Sequence, residues 1–208
     1  MKKSLLFCLC TISIIFFATS TAFAVGLGIY TPYAVGGADY NDFGTDANHI
    51  GIGFVFDTNV AKRSFFSYRL HVGFESFSHD YEYQYSYYYN GYRYWAWRSG
   101  SNEGTRFVLD NTFSFGLMRT KVVRLWLGPM VRVGIVNTDE DLGDGFVAGA
   151  GLTVLGLNFN IGPVFTIALD AGYLFDVDIY DYDDGFNHMF QAKLALICLL
   201  YTSPSPRD

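Results

Sequence analysis

The sequence predicts an all-β chain folded as a closed, antiparallel, up-and-down transmembrane β-barrel of eight strands. Three observations lead there. Successive segments alternate apolar residues with small or charged ones at period two, the signature of strands with two unlike faces. Half of the residues are hydrophobic and 19% are aromatic, yet no segment after the N-terminus supplies the ~20 consecutive apolar residues of a spanning helix. An export signal precedes the alternating segments. Together these favour a sheet with its apolar side toward lipid and its charged side toward a lumen.

Residues 1–24 read as a cleaved signal peptide. Lys2 and Lys3 form the basic region, residues 5–17 the apolar region, and Ala22-Phe23-Ala24 the small-x-small cleavage site. The alternative, an uncleaved anchor, needs a longer apolar run. Two of the three cysteines, Cys8 and Cys10, leave with the signal, so no disulfide is expected. A formal charge of −6 argues against nucleic acid as a partner, because phosphate binding needs a basic surface. The barrel domain is expected over residues 25–197. Residues 198–208 (CLLYTSPSPRD) abandon the pattern and resemble one reading frame of a transposase adapter used for sequencing libraries; they are expected to be a non-native tail.

Residues 25–33 open the first strand, and residues 34–48, rich in Gly, Asp and Asn, predict a loop. Residues 49–57 predict the second strand, with Ile50, Ile52, Phe54 and Phe56 on one face and Gly51, Gly53 and Val55 on the other. Inward glycines suit a narrow barrel. The third strand, residues 65–77, puts Phe66, Tyr68, Leu70, Val72 and Phe74 outward. Ser67, Arg69, His71, Gly73 and Glu75 face inward.

Asn90-Gly91 between two aromatic arms predicts a hairpin with a two-residue turn, which needs positive φ. That turn fixes a register in which paired residue numbers sum to a constant. Tyr89 then faces Tyr92, and further down Glu75 opposes Arg106 and His71 opposes Asp110. Phe74 meets Phe107, Val72 meets Leu109 and Phe66 meets Phe115 on the other face, as cross-strand energetics prefer. A bulge within residues 99–104 would shift this register.

Residues 105–119 predict the fourth strand, with Asn111 an anomaly among its outward apolar residues. Residues 122–136 predict the fifth, with Arg124, Trp126, Gly128, Met130 and Arg132 inward. An arginine facing lipid near the midplane would cost ~2–4 kcal/mol, so the parity is constrained. Pro129 lacks a ladder donor and predicts a bulge or bend. Residues 137–144 predict an acidic loop, 146–155 the sixth strand, 156–163 a turn, 164–177 the seventh strand, 178–187 a second acidic loop, and 188–197 the eighth strand. Long connections on one side and tight turns on the other match a barrel whose closure satisfies every backbone group.

This pattern resembles the small eight-stranded outer-membrane barrels of the outer membrane protein A and X type. The resemblance covers residues 25–197 as architecture and names no single member. The hairpin of residues 80–98 is similar to the extended extracellular sheet of the outer membrane protein X group. The resemblance implies the outer membrane of a diderm bacterium as location. It also implies outer-membrane lipid and the barrel assembly machinery as partners.

The inward residues Arg69, His71, Glu75, Arg106, Asp110, Arg124, Arg132, Asp170 and Lys193 are expected to form an ion-pair network. A barrel of eight strands leaves just enough room for side chains, so a filled lumen is favoured over a narrow channel for ions or small solutes. Ser67, His71 and Glu75 share a face, but four residues of strand span ~13 Å, beyond the reach of a catalytic triad. No enzymatic activity and no cofactor are expected. The acidic groups at Asp139, Glu140, Asp141 and Asp144, and at Asp176, Asp178, Asp181, Asp183 and Asp184, match no dedicated calcium loop and read as solvated surface. The candidate binding surface is the aromatic hairpin: Tyr83, Tyr85, Tyr87, Tyr89, Tyr92, Tyr94, Trp95 and Trp97. Tyr and Trp give large contact area at low entropic cost. The expected role is structural or adhesin-like, toward a host or matrix surface. The alternatives are packing of these rings on the barrel rim or on lipid headgroups, a passive channel, and a lipid-modifying enzyme.

Overall fold

The computed structural model describes residues 25–40, 43–58, 65–90, 92–138, 144–162, 164–180 and 184–200, with backbone alone at 25, 40, 43 and 81–85. The expected signal peptide and residues 201–208 lie outside this set. The described residues form eight strands: β1 (Val25–Tyr40), β2 (Phe43–Asp57), β3 (Phe66–Tyr89), β4 (Tyr92–Arg119), β5 (Val123–Thr138), β6 (Asp144–Ile161), β7 (Phe165–Ile179) and β8 (Asp184–Leu200). Each pairs antiparallel with the next, and β8 returns to β1 from Val25↔Leu200 to Tyr40↔Gly185. The sheet is a closed transmembrane barrel with no free edge along its wall.

Its two faces are inverted relative to a soluble sandwich. Ile52 and Phe54 are 66% and 70% exposed on the outer wall, whereas Val55 and Arg132 are fully buried. Aromatic pairs band the outside at two heights. Phe74–Phe107 (5.0 Å) and Phe175–Phe186 (6.4 Å) lie toward the hairpin end, with Phe66–Phe115 (5.8 Å) and Tyr68–Phe113 (5.6 Å) toward the other. Such girdles mark the two interfaces of a membrane barrel. Asn111, the expected anomaly, accepts a hydrogen bond from the Tyr68 hydroxyl at 2.6 Å and so does not meet lipid unsatisfied.

The β3–β4 register holds without interruption from Tyr89↔Tyr92 to Phe66↔Phe115, and Asn90 has φ of +51° at the turn. No bulge interrupts residues 99–104. Pairing of β5 with β4 skips Gly128 and Pro129, and the β5–β6 register shifts between Trp126 and Gly128, beside the proline that cannot donate.

Several expected loops prove to be strand. β1 runs to Tyr40 and β2 begins at Phe43, so most of residues 34–48 pair. There Ala34, Ala38 and Ala47 are buried while Asp39, Asp46 and Asn48 face out beyond the apolar belt. Small-in, polar-out alternation hides the period that an apolar outer face makes obvious. The same correction extends β5 to Thr138 and β7 to Ile179, and starts β8 at Asp184. β8 also continues past Ile197, with Cys198, Leu199 and Leu200 paired to β1. The asymmetry between the two ends therefore lies in strand length. The connection of residues 58–65, at the end opposite the hairpin, is longer than any at the hairpin end.

Residues 156–163 are not a turn up to Ile161. The β6–β7 register shifts between Thr153 and Leu155, so Val154 and Leu155 both face out. Before the bulge, odd residues face the lumen; after it, Gly156 and Asn158 do. A Cβ on Gly156 would overlap the Trp126 ring, which explains glycine there.

Candidate functional site

The lumen is filled by three tiers of ionic side chains. In the tier farthest from the hairpin, Arg69 donates from Nε and Nη2 to Asp57 (2.9 and 2.6 Å). It also donates from Nη1 to both oxygens of Asp170 (2.7 and 2.9 Å). Its Nη2 reaches Asn158 Oδ1 at 2.9 Å, and the Trp126 indole donates to the same oxygen at 3.2 Å. The guanidinium lies 4.8 Å from the Trp126 ring centroid. Arg124 closes this tier by donating to Ser67 Oγ at 2.8 Å.

In the middle tier, Arg132 holds two carboxylates at once. It bonds Glu75 at 2.9 and 2.8 Å and Asp110 at 2.7 and 2.9 Å, and Lys193 adds a bond to Asp110 at 2.6 Å. Such bidentate forks are the strong form of charged hydrogen bond. Glu75 and Arg106 are opposed in register, as are His71 and Asp110, yet Asp110 joins Arg132, its neighbour on β5, and Glu75 reaches over β4 to the same guanidinium. His71 is fully buried, 4.6 Å from the Tyr30 ring, and its two nitrogens have no hydrogen-bond partner among the described residues.

In the tier nearest the hairpin, Arg106 bonds Asp178 and lies 3.7 Å from Asp176; Asn187 donates to both carboxylates at 2.7 and 2.9 Å. Arg106 also meets His49 Nδ1 at 3.2 Å, and His49 meets His79 at 3.2 Å. Phe77 faces inward under the Arg106 guanidinium at 4.6 Å.

All nine lumen candidates are thus buried, and the structure brings them together with partners that sequence reasoning missed: Asp57, His49, Asn158, Asp176, Asp178 and Asn187. The signal was present for most of these. Residues 49 and 57 share the parity of Gly51, Gly53 and Val55, and residues 176 and 178 that of Asp170. Asp176 and Asp178 are corrected from solvated loop residues to buried ion-pair partners of Arg106. Residues 139–141, 181 and 183 lie outside the described set. Asp144 bonds Asn137, Asp184 is exposed, and no group of three metal-ligating side chains occurs among the described residues.

Charge in the lumen nearly balances, with Arg69, Arg106, Arg124, Arg132 and Lys193 against Asp57, Glu75, Asp110, Asp170, Asp176 and Asp178. Paired charged side chains thus occupy the described lumen.

The hairpin is the second candidate. The last β2–β3 pair is Thr45↔Tyr81 and the last β4–β5 pair is Gly104↔Thr138, so the ribbon beyond them stands clear of its neighbours. Its two faces differ. Tyr87, Tyr89, Tyr92 and Tyr94 continue the lumen-facing parity, with Tyr87 and Tyr94 stacked at 5.7 Å. Tyr88, Arg93, Trp95 and Trp97 continue the outer parity, with Arg93 4.7 Å from the Trp95 ring centroid. Of Tyr83 and Tyr85 the backbone register alone is described: they pair with Arg98 and Ala96.

Closed strands, an apolar exterior with aromatic girdles and an ion-paired interior define a transmembrane β-barrel. No protein-family model matches the chain, and no curated protein sequence matches it. Solved structures with a similar chain path include Neisserial surface protein A (NspA), at 14% identity and a TM-score of 0.45, covering 85% of this chain and 97% of that one. Ail, the attachment invasion locus protein of Yersinia pestis, solved with the heparin analogue sucrose octasulfate, matches at 14% identity and TM-score 0.31 over 83% and 99%. The beta domain of the Bordetella autotransporter BrkA matches at 10% identity and TM-score 0.27 over 83% and 98%.

Proposed function

We propose that this protein is a non-enzymatic barrel of the diderm outer membrane whose exposed aromatic hairpin mediates surface interaction, in the manner of an adhesin. Residues 1–24 would direct export and be cleaved off, and insertion would use the barrel assembly machinery. The observation that carries the reading is the height of the aromatic tip. Above the Phe74–Phe107 pair, the outer face of the ribbon presents Ser76–Thr105, Ser78–Glu103, Asp80–Ser101 and Glu82–Ser99 before the first tryptophan, Trp97. From Phe107 to Trp97 is ~33 Å along the strand at ~3.3 Å per residue, or ~25 Å along the axis at a tilt of ~40°. A headgroup layer is only ~5–8 Å deep on each side of a bilayer. Four polar pairs therefore lift the rings past the headgroups, which disfavours a role as membrane anchors. Large exposed aromatic patches on a soluble surface mark binding sites.

The test is replacement of residues 81–98 by a two-residue turn. Cells carrying the shortened barrel should lose attachment to host or matrix surfaces while displaying the same amount of folded protein. Unchanged attachment would remove the adhesive role. The channel reading gains nothing from a lumen occupied by paired charges.

A further inference from the structure

The outer face of the hairpin tip carries a preassembled recognition unit that differs from its tyrosine face. The Arg93 guanidinium carbon lies over the Trp95 ring, 4.7 Å from its centroid, and its Nη2 donates to Ser86 Oγ at 3.1 Å from the opposite strand. These two contacts place the guanidinium on the Ser86–Trp95 row, and its other N–H groups are further donors. Trp97, two residues along on the same face, is 71% exposed, and Tyr88, opposite Arg93, is 73% exposed. The guanidinium, on the Ser86–Trp95 row, thus sits one row of side chains, ~7 Å in strand spacing, from Trp97 on one side and from Tyr88 on the other.

Charge restricts what can bind. The protein is acidic at −6, but the nearest acidic residue on this face of β3, Glu82, is three cross-strand pairs below Arg93. That is ~20 Å along the ribbon, about two Debye lengths at physiological salt, so the tip is electrostatically its own site. A long polyanion running down the ribbon would meet Asp80 and Glu103. A short ligand with one negative group would not.

We infer that the tip binds a terminal, carboxylate-bearing saccharide on an opposing surface, with Arg93 taking the carboxylate and the Trp97 indole stacking on the sugar's C–H face. This rests on the hairpin being the interaction element. A planar guanidinium matches a carboxylate through two parallel donors, and a flat indole matches a pyranose face without a hydrogen-bond code.

The experiment is calorimetric or saturation-transfer binding to the full barrel in nanodiscs. The probes are sialyllactose, lactose and a heparin oligosaccharide. Sialyllactose should bind, lactose should bind at least about tenfold more weakly, and R93Q should abolish the difference between them, given the usual worth of a charge-assisted hydrogen bond. R93K should recover part of it and W97A should weaken both sugars. Equal binding of lactose and sialyllactose, tighter binding of heparin, or binding unaffected by R93Q would each overturn the inference. If attachment depends on residues 81–98 while no saccharide binds at millimolar concentration, the inference falls and the adhesin reading stands, with a protein receptor as the occupant.

Discussion

Arg132 is the residue on which the lumen turns. It neutralises Glu75 and Asp110 through four hydrogen bonds in a site without solvent access. Removing one member of a buried ionic group strands the rest, at ~3–5 kcal/mol, although replacing the whole group by apolar residues can be neutral. Arg132→Met should therefore lower the unfolding free energy in lipid vesicles by ~3–5 kcal/mol. Adding Glu75→Gln and Asp110→Asn should restore much of that loss, and an equally unstable triple variant would contradict the assignment. On the outer wall the sign reverses. Ile52→Arg places the same cation against lipid and should cost ~2–4 kcal/mol, whereas Ser78→Arg, on the polar stretch above the belt, should change little. The parity that separates these cases was readable residue by residue wherever the outer face was apolar. It held at Asp57, Asp176 and Asp178 as well, beside outward Phe56, Phe175, Val177 and Ile179, but carboxylates at the end of a strand next to an acidic run look like part of a loop.

At the scale of the element, β6 shows where alternation alone fails. Val154 is the extra residue that lets Thr153 and Gly156 both face the lumen despite their odd spacing. In sequence this breaks the period at Val154-Leu155-Gly156 and resembles a strand end. The break is physical, because a bulge keeps sidedness while shifting phase. Deleting Val154 should leave every side chain on its present face, and the protein should still give the heat-modifiable band of a folded barrel. Deleting Leu169 from the regular β7 should not, since it forces half of that strand to expose its lumen face. If both deletions fold, or neither does, the bulge has been misassigned. The β3–β4 hairpin was legible in full for the opposite reason. One Asn-Gly turn fixes the phase, and nothing between Tyr89 and Phe66 perturbs it. Among the described residues, pairing of β3 with β2 ends at Tyr81, so replacing residues 81–98 by a short turn should leave barrel stability within about 1 kcal/mol, as for surface changes elsewhere.

For the whole molecule, closure does two things at once. It satisfies the backbone groups that lipid cannot, and it confines the charges to a space that they fill. Planar-bilayer recordings should accordingly show no stepwise conductance from the intact protein; steady open-pore currents would mean that the tiers of paired charge do not seal the lumen. What the sequence left unread at this scale is which carboxylate joins which cation. Partners such as Arg69–Asp170 are far apart in the chain and meet only across the closed cylinder.

The inverted arrangement is tested most directly by spin-label accessibility in vesicles, using protein beginning at residue 25 with Cys198→Ser. Labels at Ile52, Phe54, Phe74 and Leu194 should be reached by oxygen and shielded from a water-soluble nickel chelate, while labels at Ser78 and Ser101 should show the reverse. Nickel accessibility at Ile52 and Phe74 equal to that at Ser101 would contradict a lipid-facing exterior.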